Sequence, residues 1–78
     1  MSPAVSEDEE TGIHCRLDEL LEKREITLTR LSELVGVSIV NLSVLKNDRA
    51  RAIRFSTLRA ICEALNCEVG ELLVRDHR

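Results

Sequence analysis

Seventy-eight residues with a formal net charge of −3 make one small domain, and a chain of this size buries only about 60% of its unfolded surface, so its core has little stability to spare. Glycine and proline are scarce and Phe55 is the only aromatic, which leaves leucine, isoleucine, valine and alanine to build the core and excludes a glycine-rich phosphate loop. No apolar run approaches the roughly 20 residues of a membrane span, and the acidic start is unlike a signal peptide.

Residues 1–12 read as a disordered acidic tail: Pro3, two serines and the run Glu7 to Glu10 offer little to bury. The ordered domain is expected over 13–74, as five helices and no strand. In the first, Ile13, Leu17, Leu20 and Leu21 form one apolar stripe at the helical period, and the helix should end near Glu25. The second opens at Thr27, whose hydroxyl can accept from a free first-turn amide. Leu28, Leu31 and Val35 share its inner face, with the small Ser32 beside Leu31, and Gly36 stops it. Ser38 caps a third helix with Leu42 and Leu45 inward, ended by Asn47-Asp48. Arg49 to Arg54 make a basic loop. The fourth helix runs from Phe55 to Leu65, with Phe55, Leu58, Ile61, Cys62 and Leu65 inward, and Asn66 ends it. A short fifth helix, Val69 to Val74, gives Val69, Leu72 and Leu73 to the core, and residues 75–78 fray.

The net charge hides an asymmetry. Without the four acids at Glu7 to Glu10 the remainder carries +1, and the window from Lys46 to Arg59 carries +4, from five basic residues and Asp48. That is a hint of an edge facing a polyanion; a solvated arginine-rich loop would look the same.

The most informative stretch is Thr27 to Leu42, two short helices around Gly36-Val37-Ser38. Small residues at such a crossing let two helices meet steeply, so the second projects outward, and a major groove is wide enough to admit it. The marks Thr27, Leu31, Gly36-Val37-Ser38, Leu42, Asn47, Phe55, Thr57-Leu58, Ala64-Leu65 and Leu72 resemble the phage-repressor and Cro-like (XRE) helix-turn-helix family across about Arg16 to Leu73. The resemblance implies an all-α, compact five-helix bundle of the lambda-repressor-like type, and a DNA-binding transcriptional regulator. It puts Ile39, Val40, Asn41 and Val44 on the groove-facing side of the recognition helix, with Ser38 and Asn47 at its ends. Arg49, Arg51 and Arg54 match the phosphate-contacting loop, and Thr27 and Leu28 stand where the family often touches the DNA backbone. Three of the four groove positions are aliphatic, and Leu28 stands where glutamine is common. Where the family often pairs an arginine in the first helix with a glutamate late in the third, this chain has Leu21 and Lys46.

The partner implied is double-stranded DNA, bound as a homodimer whose contact should come from the C-terminal half, around Leu72, Leu73 and Val74. An alternative reading is a protein-interaction module, antitoxin-like or adaptor, using the aliphatic face at Ile39, Val40 and Val44. Cys62 and Cys67 read as small core residues, and no Cys/His cluster has metal-ligand spacing. His14-Cys15 lacks a third group to orient a base, so no enzyme is expected. No cofactor, membrane or small-molecule ligand is implied. Three cysteines without paired spacing suit the cytoplasm.

Overall fold

The computed structural model describes residues 11–75; the expected acidic run at Glu7 to Glu10 and most of the expected frayed end lie outside them. Five helices appear in the expected order, α1 (Leu17–Arg24), α2 (Leu28–Val35), α3 (Ile39–Lys46), α4 (Phe55–Leu65) and α5 (Val69–Leu72). The expectation of helices alone is corrected by two short strands, β1 (Ile13–Cys15) and β2 (Leu73–Arg75). They pair antiparallel, Ile13 opposite Arg75, His14 opposite Val74 and Cys15 opposite Leu73.

The ribbon shortens the first and fifth helices from their outer ends. Ile13 fits the helical stripe by spacing, but Leu17, Leu20 and Leu21 make that stripe without it. Leu73 leaves helical geometry, at φ −117° and ψ 127°, and the Arg16 amide donates to the Leu72 carbonyl at 2.7 Å, which starts the two-stranded zipper. Arg75, placed with the frayed end by sequence, lies in β2.

The helix ends follow local chemistry. Thr27 accepts from the Arg30 amide at 3.0 Å and Ser38 from the Asn41 amide at 3.2 Å, each satisfying one amide that lacks a helical partner. Gly36 takes φ 71°, a left-handed conformation that glycine adopts without steric cost. Glu25 and Asn66 also turn left-handed after α1 and α4. The Ile26 amide reaches back to Leu21 and that of Cys67 to Cys62, both at 3.0 Å, the paired-bond ending that closes many helices. The left-handed residue after α3 is Asp48, at φ 59°, while Asn47 stays at φ −89°.

Leu17, Leu31, Leu42, Ile61, Leu65 and Leu72 are fully buried at the centre. Cys62 and Cys67 join this core, which holds no buried polar or charged side chain among the described residues. Arg24 lies across the end of α4, its Nε donating to the Leu65 carbonyl at 2.8 Å and its Nη2 to that of Asn66 at 3.3 Å. Two expected core residues are not in it: Phe55 is 86% exposed and Val69 49%. Each is the first residue of its helix, and helical side chains lean toward the N-terminus, so both lean past the packed layer.

Candidate nucleic-acid interface

The turn between α2 and α3 is fastened from within. The Ser32 hydroxyl on α2 donates to the Val37 carbonyl at 2.6 Å. Beside it the Gly36 amide returns to the Ser32 carbonyl at 2.9 Å. One small side chain thus holds the segment that sets the angle between the two helices. Leu42 and Leu45 then anchor α3 to the core, 0% and 6% exposed.

With that register fixed, the other side of α3 faces out. Val40 is 73% exposed, and Ile39 and Val44 are nearly half exposed. Asn41 is exposed between them. Val40, Val44 and Asn47 lie at i, i+4 and i+7, so they share a face with Asn41 alongside. Asn47 sits at its far end, its Nδ2 donating to Ser43 at 3.3 Å. Ser38 and Thr27, both exposed, are each occupied in capping a helix. Leu28 packs partly into the core. The structure therefore leaves Ile39, Val40, Asn41, Val44 and Asn47 exposed, with Val40, Val44 and Asn47 on one face and Ile39 and Asn41 at its two edges. It sets Thr27 at the head of α2 and makes Leu28 a packing residue.

Arg49, Arg51 and Arg54 are all exposed on the connection from α3 to α4. Arg54 precedes α4 directly, and no side chain caps that helix, so its first amides add partial positive charge beside the arginines. At the positions where the resemblance expects a buried ion pair, Leu21 lies in the core, 5% exposed. Lys46 instead reaches Asp18 on α1 at 3.7 Å, a surface tie between α3 and α1.

Sequence reasoning missed two features of this region. Leu34, on α2, is 48% exposed and adds to the aliphatic surface. Asp48, read from sequence as part of a helix end and as one negative charge in a basic window, is also a latch. Its carboxylate accepts from the Cys15 amide at 2.7 Å and meets His14 Nδ1 at 2.8 Å. The ribbon is thereby fastened to the start of the arginine loop. Partial burial pulls the Asp48 carboxyl upward, but the Cys15 amide and His14 outweigh it and hold its pKa below the ordinary value. The partners lie 33 and 34 residues away, so no local pattern announced them.

Two thiols, Cys15 and Cys67, are pushed toward the neutral form. Burial, ahead of the nearby Asp48 charge, pushes Cys15 up despite a bond from the Leu17 amide. Burial and then contact with Cys62 push Cys67 to about 11. Asp48 at His14 Nδ1 is the third group that sequence did not anticipate, but His14 and Cys15 are neighbours on a strand, where successive side chains point to opposite faces, and the Cys15 thiol is pushed up, not down.

Comparison with known proteins places this surface in context. Residues 16–77 match the Cro/C1-type helix-turn-helix DNA-binding domain. The HTH-type transcriptional regulator YozG of Bacillus subtilis (strain 168) is 54% identical over 62 residues, spanning 80% of this chain and 74% of that protein. The crystal structure of the transcriptional regulator VanUg superposes with a TM-score of 0.64 at 31% identity, covering 83% of this chain and 88% of that one. The chain belongs to the Cro/C1-type helix-turn-helix DNA-binding domain family.

Proposed function

We propose that this DNA-binding transcriptional regulator lays α3 in the major groove and rests the loop 49–54 on the flanking phosphates, acting as a homodimer in the cytoplasm. The observation that carries the reading is the two-sidedness of α3: Leu42 and Leu45 are locked in the core while Ile39, Val40 and Val44 stand out from it. Arg49, Arg51 and Arg54 follow at its C-terminal end. Asn41 supplies a side chain able to pair with adenine N6 and N7, and Val44 can pack on a thymine methyl. With so few hydrogen-bonding groups on the face, sequence-dependent DNA shape supplies part of the selectivity. The ordered unit of function is the domain 13–74. The three free cysteines suit a compartment that keeps thiols reduced. Two-fold pairing suits a small module, because it doubles the interface and reads two half-sites about 34 Å apart.

The test separates the loop from the helix. Wild type, Arg49→Ala and Asn41→Ala are titrated against duplexes selected from a random library and against random duplexes, at several salt concentrations. Arg49→Ala should weaken binding to all duplexes alike and flatten the salt slope by about one unit, through one fewer released counterion. Asn41→Ala should cost roughly 1–3 kcal/mol on the selected site and much less on random DNA. Absence of any salt-sensitive binding by wild type would overturn the reading.

A further inference from the structure

The chain's single aromatic side chain, Phe55 at 86%, is the most exposed large hydrophobic one among the described residues. It stands at the rim of a groove of about 630 Å³ between α4 and the start of α5, a volume that admits the side chains of a helical turn and not merely one ring. Leu58, Cys62 and Cys67 make the apolar floor, and the half-exposed Val69 closes the far side. No residue of α3 lines it. The patch thus carries both a projecting knob and a hole, side by side. A two-fold contact needs that combination, because each protomer must supply both halves from one surface.

We propose that this surface is the homodimer contact, α4 lying antiparallel to its copy so that Phe55 of each protomer enters the groove of the other; the proposal rests on the homodimer reading above. Charge spacing supports the antiparallel register. Setting Phe55 opposite the partner's Cys67 also sets Arg59 opposite the partner's Glu63, because both pairs are centred on position 61. Within the protomer these two already pair across one helical turn, at 3.2 Å, on the open surface at the groove. Bringing the two helices together joins the two pairs into one four-charge cluster of alternating sign. The contact expected in this half of the chain from sequence shifts accordingly. Leu72 is 1% exposed and spent in the protomer's own core, and Leu73 packs against that core. Phe55 and Val69 take their place. The patch is small, so the dimer is at the weak end of specific contacts and is reinforced when two half-sites hold both protomers.

The test is sedimentation velocity of the full chain over a concentration series, alone and with a duplex carrying two half-sites, with circular dichroism to verify folding. Phe55→Glu should raise the dimer dissociation constant at least about a hundredfold, since a two-fold contact loses the ring twice. Its own fold should be intact, since the ring touches little of the core. Arg59→Glu and Glu63→Arg should each weaken the dimer by about tenfold, and the double exchange should restore it to within about threefold of wild type. Their intramolecular pair is kept in the double variant, so restored assembly reports the contact between protomers and not helix stability. A wild-type dimer indifferent to all three single changes overturns this surface and leaves the homodimer reading standing. Weakening without rescue in the double variant overturns the register. A wild type that stays monomeric both free and on the two-site duplex overturns both.

Discussion

Asp48 is the point where a single substitution should separate fold from loop. Its carboxylate accepts the Cys15 amide at 2.7 Å and faces His14 Nδ1 at 2.8 Å. Its backbone is left-handed at φ 59°. A hydrogen bond to a charged group contributes about 1.5–3 kcal/mol, and the site is some 40% exposed, which places this one at the low end of that range. The exposed His14 pair adds at most about 1 kcal/mol after screening. Asp48→Gly keeps the backbone conformation and removes both interactions, so it should cost about 2 kcal/mol. In a domain of this size that lowers the melting temperature by roughly 10 °C. Asp48→Asn keeps a neutral acceptor and should cost about half as much. Asp48→Ala should be worse than Asp48→Gly, because a β-carbon is strained in a left-handed turn. Thermal unfolding by circular dichroism ranks the four proteins, and exchange of the Cys15 amide reports the latch directly. The pH dependence has a defined sign. A carboxyl whose folded pKa lies below its ordinary value of 3.8 gives stability that is present above 3.8 and is lost as the pH falls through the lower, folded value. Wild type should therefore lose its advantage over Asp48→Asn in acid. Glycine and asparagine variants within about 0.5 kcal/mol of wild type would refute the latch, and an alanine variant more stable than the glycine one would refute the strain argument.

Other perturbations have equally definite outcomes. Leu42→Ala removes a fully buried side chain and should cost about 2–5 kcal/mol, close to the whole stability of a domain this small; chemical denaturation would show it. Ser38→Ala leaves the Asn41 amide unmet and should cost about 1 kcal/mol in the same assay. Arg24→Ala frees two carbonyls at the end of α4 and should speed amide exchange around Cys67 more than around Leu31. Cys67, pushed up to about 11 by burial and its neighbour Cys62, should react with iodoacetamide at pH 8 far more slowly in the folded protein than in denaturant. Because its folded pKa is raised above 9.0, its contribution to stability is complete below 9 and falls away as the pH rises through about 11.

The helices were legible because each is written in local terms. Thr27, Gly36 and Ser38 mark the ends of α2 and α3 by their own side-chain and backbone chemistry, and the leucines recur at the helical period. The ribbon was not legible. Three-residue strands are too short to establish alternation, and what makes Ile13 to Cys15 extended is a partner some 60 residues away. Phe55 shows the same limit from another side. Its spacing from Leu58 and Ile61 places it on the inner stripe, yet periodicity says nothing about where the packed layer stops. At the first residue of a helix the lean of the side chain decides, and it carries the ring outside.

The same distinction explains what sequence could say about the DNA-facing surface. The exposed side of α3 follows once Leu42 and Leu45 are known to point inward, since a helix with one face fixed has its other face fixed too. The aliphatic character of that face, read by itself, suits an interaction with protein as well as with a groove. What separates the two readings is position. Val40 and Asn41 begin a face that ends next to three exposed arginines and an uncapped helix start. A polyanion satisfies all of these at once, whereas an apolar partner would leave the arginines facing solvent at the rim of the contact. Asp48, the one acid in that window, spends its carboxylate oxygens on the Cys15 amide and His14. The latch therefore does two things with one side chain: it fixes the loop to the ribbon, and it engages the window's one carboxylate with β1.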